Sequence, residues 1–173
     1  NPGDGNTTTG TSFNANGKYF ISCSADGGHI NRNNDGAIMH CRRSGNLVGS
    51  ITVSSSATAF NETSDYRVKE NIVDITDGIT RLKQLQPRRF NFIVDPESTV
   101  DGFIAHEAQA VVPQAVTGTH NEVDDDGNPV MQGIDKSKLV PLLTAALQEA
   151  IAKIETLEAS NTDLLARVTA LES

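Results

Sequence analysis

The chain has 173 residues, enough for one ordinary domain or one domain with an extended appendage. Eight residues are aromatic and none is Trp, which argues against a large aromatic-anchored core. The formal charge is −8, and the excess lies in 64–173, with ten basic against eighteen acidic residues, while 1–63 carry four of each. That imbalance excludes a non-specific nucleic-acid surface in the C-terminal part.

No apolar run approaches membrane-spanning length, and no signal-peptide core is visible. The first residue is not Met, and the expectation is a piece of a longer polypeptide. Cys23 and Cys41 are too few for a disulfide framework and lack the His/Cys spacing of a zinc site. A pairing of the two with each other is open, but the expectation is free, buried thiols of a chain made in a reducing cytosol.

Residues 1–63 read as short strands and tight turns. Asn14-Ala15-Asn16-Gly17 leads into a strand over Lys18–Cys23. Asn34-Asp35-Gly36 is placed as a hairpin turn between His29–Arg32 and Ala37–Cys41, because an Asp-Gly step supplies positive φ. Ser44-Gly45-Asn46 turns the chain again before Leu47–Val53. Each strand has few apolar residues, too few for a comfortable monomeric core. Such sequences fold when several copies share one.

Residues 64–135 read as a small α+β unit. Ile79, Leu82 and Leu85 recur at helical spacing, with Thr76 or Asp77 as cap and Pro87 as stop. Arg88–Val94 is expected as a strand closed by an Asp95-Pro96 turn. Val100–Ala105 is expected as a further strand, and His106–Val112 as a short helix ended by Pro113. Asp124–Pro129 is an acidic turn, without the downstream Glu of a calcium loop.

The C-terminal segment, 136–173, carries the clearest periodicity. Leu147, Ala150, Ile154, Leu157, Asn161, Leu164, Val168 and Leu171 alternate three and four apart, an unbroken heptad with Leu147 at a and Ala150 at d. Val140 and Leu143 extend the phase backward, and Pro141 must then sit in the first turn. Lys153 and Arg167 at g face Glu158 and Glu172 at e in a parallel assembly. Asn161 at a, with these charges, favours self-association over packing on the helix's own domain. Ile151 and Leu165 at e widen the apolar face beyond a dimer seam, which fits a trimer or a dimer docked on other structure.

Ser64 and Lys69 are candidates for chemistry. A serine attacks a peptide bond when a base removes its proton, and a lysine is such a base once desolvation or neighbouring positive charge favours its neutral form. Arg67 is a nearby charge of that kind. Spacing does not bring the pair together, however. Five residues on a helix fall on different faces, and an odd separation on a strand points the side chains oppositely. A turn between them, or a lysine from another chain, is required, and on pattern alone a solvated linker is the simpler reading. His106-Glu107 lacks the second His of a zincin, and no nucleophile elbow, P-loop or dinucleotide fingerprint is present. The four His are scattered.

Taken in order, "SDYRVKENI" (64–72), "LKQLQPRRFNF" (82–92), "DGFIAHEAQAVVPQAVTG" (101–118), "DDDGNPVMQGIDKSKLVPLLTAALQEAI" (124–151) and the heptad tail form a recognisable set. It resembles the peptidase S74 family, the C-terminal intramolecular chaperone domain of bacteriophage tailspikes, tail fibres and endosialidases. Residues 1–63 resemble, less specifically, the β-rich end of a trimeric fibre stalk.

The resemblance implies an α+β homotrimer in three parts. Residues 1–63 would end the stalk, 64–135 form the auto-processing domain, and 136–173 form the coiled-coil helix. It implies Ser64 as nucleophile, Lys69 as general base and Asp65 as support, with cleavage between Thr63 and Ser64 and with no metal or cofactor. The partners are the chain's own copies and the upstream fibre of the same precursor, with no nucleic acid and no membrane. Assembly would take place in the host cytoplasm, leaving the mature fibre in the virion tail and releasing the chaperone fragment. The competing reading is a trimer clamp that never cleaves and stays at the end of a fibre or adhesin. Membrane-tethered transcription factors carrying such a domain fit poorly, since no basic DNA-binding domain or membrane span is present. A carbohydrate-binding role for 1–63 suffers from the shortage of aromatics.

Overall fold

The computed structural model of the protein describes residues 30–172 in full and the backbone of 10–13 and 19–22. The Asn14–Gly17 turn, Lys18, Cys23 and His29 lie outside the described residues. The chain divides into two compact units, one ending at Ile72 and the other beginning at Val73. Small antiparallel sheets and a long C-terminal helix give a mixed α+β architecture.

In the first unit, β1 (Gly10–Phe13) pairs with β2 (Tyr19–Ser22). A second sheet has the order β3-β4-β5, from β3 (Gly36–Arg43), β4 (Asn46–Val53) and β5 (Thr58–Glu62). Ser44 and Gly45 join β3 to β4 as expected. Both take positive φ (50° and 82°), the left-handed twist that a two-residue hairpin demands.

Asn34-Asp35-Gly36 behaves differently from the expectation. Gly36 already opens β3, and the preceding residues form an irregular loop. The cause is Arg32, whose guanidinium donates to the carbonyls of Asn34, Asp35 and Ala37 and holds the loop around itself. Gly36 has φ 143°, a backbone conformation that residues with a side chain rarely adopt, and the Arg32 guanidinium packs where a Cβ would stand.

The strand β5 is not evident from its sequence, because Thr58-Ala59-Phe60-Asn61-Glu62 alternates weakly. It forms because Ser54 closes the preceding loop, its Oγ accepting from the Ser56 and Ala57 amides. Gly49 then lets β5 approach closely, since a Cβ there would stand 2.7 Å from the Asn61 carbonyl oxygen. No residue of 30–72 is buried. Phe60 is 82% exposed, and the Cys41 thiol is free but exposed rather than buried. Among residues 30–72 no second layer covers this sheet, which is why Cys41 departs from the expected burial.

The second unit contains α1 (Gly78–Leu82), β6 (Arg88–Phe92), β7 (Asp95–Gly102), α2 (Ala105–Gln109), β8 (Val116–Thr117), β9 (Gly133–Ile134) and α3 (Val140–Glu172). Its core gathers Leu85, Val111, Val112, Val116, Leu139 and Leu142 with Ala108 and Ala115, and Val112 is fully buried. Asp77 is the residue before α1, but its side chain makes no capping bond. Instead the Glu149 carboxylate of α3 accepts from the Gly78 and Ile79 amides, at 2.5 and 3.2 Å. A Cβ on Gly78 would stand 2.5 Å from the Ala146 amide nitrogen, so this glycine sets the close crossing of α1 on α3.

The hairpin turn after β6 is Ile93-Val94, not Asp95-Pro96. Asp95 pairs with Phe92, so Asp95 and Pro96 already belong to β7, an edge position where the missing proline N–H costs no ladder bond. Ile93 and Val94 are 99% and 94% exposed at the tip. The strand ends at Gly102, and the following helix runs only over Ala105–Gln109 before Pro113 starts a 3₁₀ turn. The rings of His106 and His120 stack with centroids 4.1 Å apart, so two of the scattered histidines meet. The acidic turn folds on Asp124, whose Oδ1 accepts from the Asp126 and Asn128 amides. These bonds, led by Asn128, hold its carboxyl below the ordinary range.

A 3₁₀ turn over Lys136–Leu139, capped by Asp135 through the Ser137 amide, leads into α3. Pro141 lies in the first turn of α3, as required. The helix buries Leu142, Ala145 and Ala146 against its own unit. The heptad residues occupy a different stripe: Leu147, Ile154, Leu157, Leu164, Val168 and Leu171 are all exposed, and Ala150 is half-buried. Among the described residues no helix is long and apolar enough to cross a membrane.

Candidate functional site

The site grows out of the end of β5. The β4–β5 pairing runs from Val53 opposite Thr58 to Gly49 opposite Glu62. Thr63 extends it by one residue, its amide donating to the Val48 carbonyl at 3.1 Å. The Thr63 hydroxyl also donates to the Leu47 carbonyl at 3.1 Å. The chain leaves the sheet at Ser64.

Directly after Ser64 the backbone coils into one 3₁₀ turn, Tyr66–Val68, flanked by extended Asp65 (ψ 136°) and Lys69 (ψ 146°). Asp65 holds the turn from its start. Its Oδ1 accepts from the Arg67 amide at 2.9 Å, the usual role of an aspartate at a helix or turn N-cap. The same carboxylate takes a two-pronged bond from the Arg67 guanidinium, Nε to Oδ1 at 2.9 Å and Nη2 to Oδ2 at 2.8 Å. Arg67 therefore holds the Asp65 carboxyl below its ordinary range, and Asp65 raises Arg67 in return. The Lys69 amide closes the turn on the Tyr66 carbonyl.

This turn brings together two side chains that regular secondary structure keeps apart. Lys69 Nζ donates to Ser64 Oγ over 2.6 Å, within one chain. Arg67, named from the sequence as a charge that favours a neutral lysine, is instead committed to Asp65, so much of its field is cancelled. The surroundings are open: Ser64, Asp65 and Lys69 are exposed, as are Tyr66, Val68 and Ile72.

Two groups here escape sequence reasoning. One is the Thr63 hydroxyl, which looks like any threonine before a polar stretch. The other is Gly49, fourteen residues upstream, whose missing side chain admits the strand that carries Thr63. A β-alternation search would find neither, because both depend on the register of β5.

Residues 64–117 match the family model of peptidase S74, described as chaperone of endosialidase. The matched segment opens on Ser64, runs through the turn and the α+β core as far as β8, and is a peptidase S74 chaperone domain. No curated protein matches the chain.

Proposed function

We propose that this chain is the intramolecular trimerisation chaperone of a phage tail fibre or tailspike, and that it frees itself by cutting between Thr63 and Ser64. The observation that carries the reading is the 2.6 Å contact of Lys69 Nζ with Ser64 Oγ, at the first residue of the matched segment and one residue past the end of the sheet.

The chemistry follows from the atoms. The Lys69 ammonium donates to Ser64, and loss of its proton to water turns the same contact round, so that the neutral amine accepts from the hydroxyl. Lys69 takes the Oγ proton as Oγ attacks the carbonyl carbon of Thr63. The tetrahedral species collapses by breaking the C–N bond, and the Ser64 nitrogen leaves as an amine with the proton that Lys69 returns. Thr63 is then held as an ester on Ser64 Oγ. Water hydrolyses it to the Thr63 carboxylate and regenerates the hydroxyl.

The exposure of Lys69 gives assembly a role. Desolvation favours a neutral amine, and an exposed turn bearing Tyr66, Val68 and Ile72 becomes desolvated when another copy covers it. The exposed heptad stripe of α3 supplies the association, with three copies held in parallel. Fusion to such a stem raises the effective concentration of the strands upstream and sets their alignment. Intertwined β-structure, slow to form because its contacts are non-local, then folds before the chaperone is cut away and persists by kinetic stability. Assembly takes place in the host cytoplasm, and the fibre passes to the virion tail.

The test is a time course on a denaturing gel of the unmutated chain beside Ser64→Ala and Lys69→Ala. Two fragments from the first and none from the variants are expected, with mass spectrometry placing the cut before Ser64. A single uncut band after prolonged incubation would leave the non-cleaving trimer clamp, which the exposed heptad stripe supports equally well.

A further inference from the structure

The bond between Thr63 and Ser64 is tethered on both sides. On its amine side, Ser64 Oγ is held by Lys69 across the 3₁₀ turn. On its acyl side, Thr63 is held to β4 by its amide on the Val48 carbonyl and its hydroxyl on the Leu47 carbonyl, each at 3.1 Å. The two tethers belong to different pieces of local structure. The turn needs only Asp65 and Arg67, whereas the acyl tether exists only while β5 is paired with β4.

We propose that the Thr63 side chain is a positioning group for cleavage, its hydroxyl on the Leu47 carbonyl fixing the acyl side of the bond so that the bond is cut only after β5 has zipped onto β4. The inference rests on the autoproteolytic reading above. Attack requires the nucleophile within about 3–3.5 Å of the carbonyl carbon and on line with it. Beyond Glu62 the ladder offers Thr63 one backbone bond, and a residue held at one point still turns about its own dihedrals. The second bond, from the hydroxyl to the neighbouring carbonyl of the same strand, removes that rotation. Cleavage thereby becomes a readout of strand pairing: an unpaired β5 presents the dyad with a bond it holds at one end only.

The experiment compares the full chain with Thr63→Val, which keeps the shape and loses the donor, and Thr63→Ser, which keeps the donor. Cleavage is timed on gels, and hydrogen exchange of the β5 amides is read in a Ser64→Ala background, where the uncut state persists. Loss of one hydrogen bond predicts that Thr63→Val slows cleavage by roughly three- to tenfold, with Thr63→Ser within about twofold of the unmutated chain and β5 exchange unchanged. Equal rates for Thr63→Val and the unmutated chain overturn the proposal. So does equal slowing of both variants, since the hydroxyl then is not the determinant. Slowing accompanied by faster exchange across β5 also overturns it, because the loss then is of the strand. An unmutated chain that never cuts defeats the autoproteolytic reading and this inference with it, a result no ratio between variants can imitate.

Discussion

The carboxylate of Glu149, in the N-terminal third of α3, caps α1 some seventy residues upstream by accepting from the amides of Gly78 and Ile79. The first amides of a helix have no partner within it, and a negative charge at that end also meets the positive pole of the helix. Replacing Glu149 by Ala should destabilise the second unit by about 1–2 kcal/mol in denaturant unfolding. Glu149→Gln, which keeps an acceptor, should cost less. Gly78→Ala should cost more than either, because its Cβ would meet the Ala146 amide at 2.5 Å. Equal midpoints for Glu149→Ala and the unmutated chain would show that the cap carries no stability.

The two faces of α3 should respond differently to truncation. Leu142 is 2% exposed in the core, and Leu142→Ala should lower stability by about 2–4 kcal/mol. Leu157 lies on the exposed stripe, so Leu157→Asp should leave the fold of a single chain intact and abolish self-association. Sedimentation velocity and circular dichroism on both variants separate these effects. A Leu157→Asp chain that still assembles at micromolar concentration would count against the heptad as the interface.

Acid should loosen the turn that unites Ser64 and Lys69. Asp65 has its folded-state titration depressed by the Arg67 side chain and then by the Arg67 amide. A carboxylate depressed in this way contributes fully above its unfolded value, and the contribution is lost as pH falls through the lower folded one. The turn should therefore be intact at neutral pH and open only below the ordinary carboxylate range. The carboxyl carbon shift of Asp65, followed by NMR in Ser64→Ala, should titrate below that range, and Arg67→Ala should raise it part of the way toward the usual value, since the backbone amide of residue 67 still donates to the carboxylate. A midpoint unchanged by Arg67→Ala would mean that the guanidinium does not hold the carboxylate.

Gly49 should matter to the site although it touches neither Ser64 nor Lys69. A Cβ at Gly49 would stand 2.7 Å from the Asn61 carbonyl, so Gly49→Ala pushes β5 away from β4 and with it Thr63. The expected result is faster hydrogen exchange across Thr58–Glu62 and slower appearance of fragments, with the second unit unchanged. Unaltered exchange would show that the sheet absorbs the methyl group without moving.

Features that depend on neighbours a few residues away were legible from the chain alone. The heptad of α3, the Ser44-Gly45 turn and the place of Pro141 are of this kind, since each follows from a short period or from the dihedral preferences of one or two residues. The motif segments that carry the resemblance to peptidase S74 were legible for the same reason, and residues 64–117 match that family. Misplaced features were those in which a distant or competing partner decides. Arg32 gathers the carbonyls around Gly36 and cancels a hairpin there. Pairing of Asp95 with Phe92 moves the turn of β6 and β7 to Ile93-Val94, against the preference of Asp-Pro.

The site divides along the same line. Sequence by itself determined that Ser64, Asp65, Arg67 and Lys69 stand close along the chain, and it could not make the serine and lysine meet. Tertiary structure decided that they do, through a 3₁₀ turn clamped by Asp65 and Arg67. It also decided that Thr63 is bound to Leu47 and Val48, sixteen and fifteen residues away. The reason is physical: a five-residue separation selects no face of a regular helix or strand, so only a specific irregular turn closes it. A hydroxyl's partner across a sheet is fixed by register, which no local pattern of residues contains.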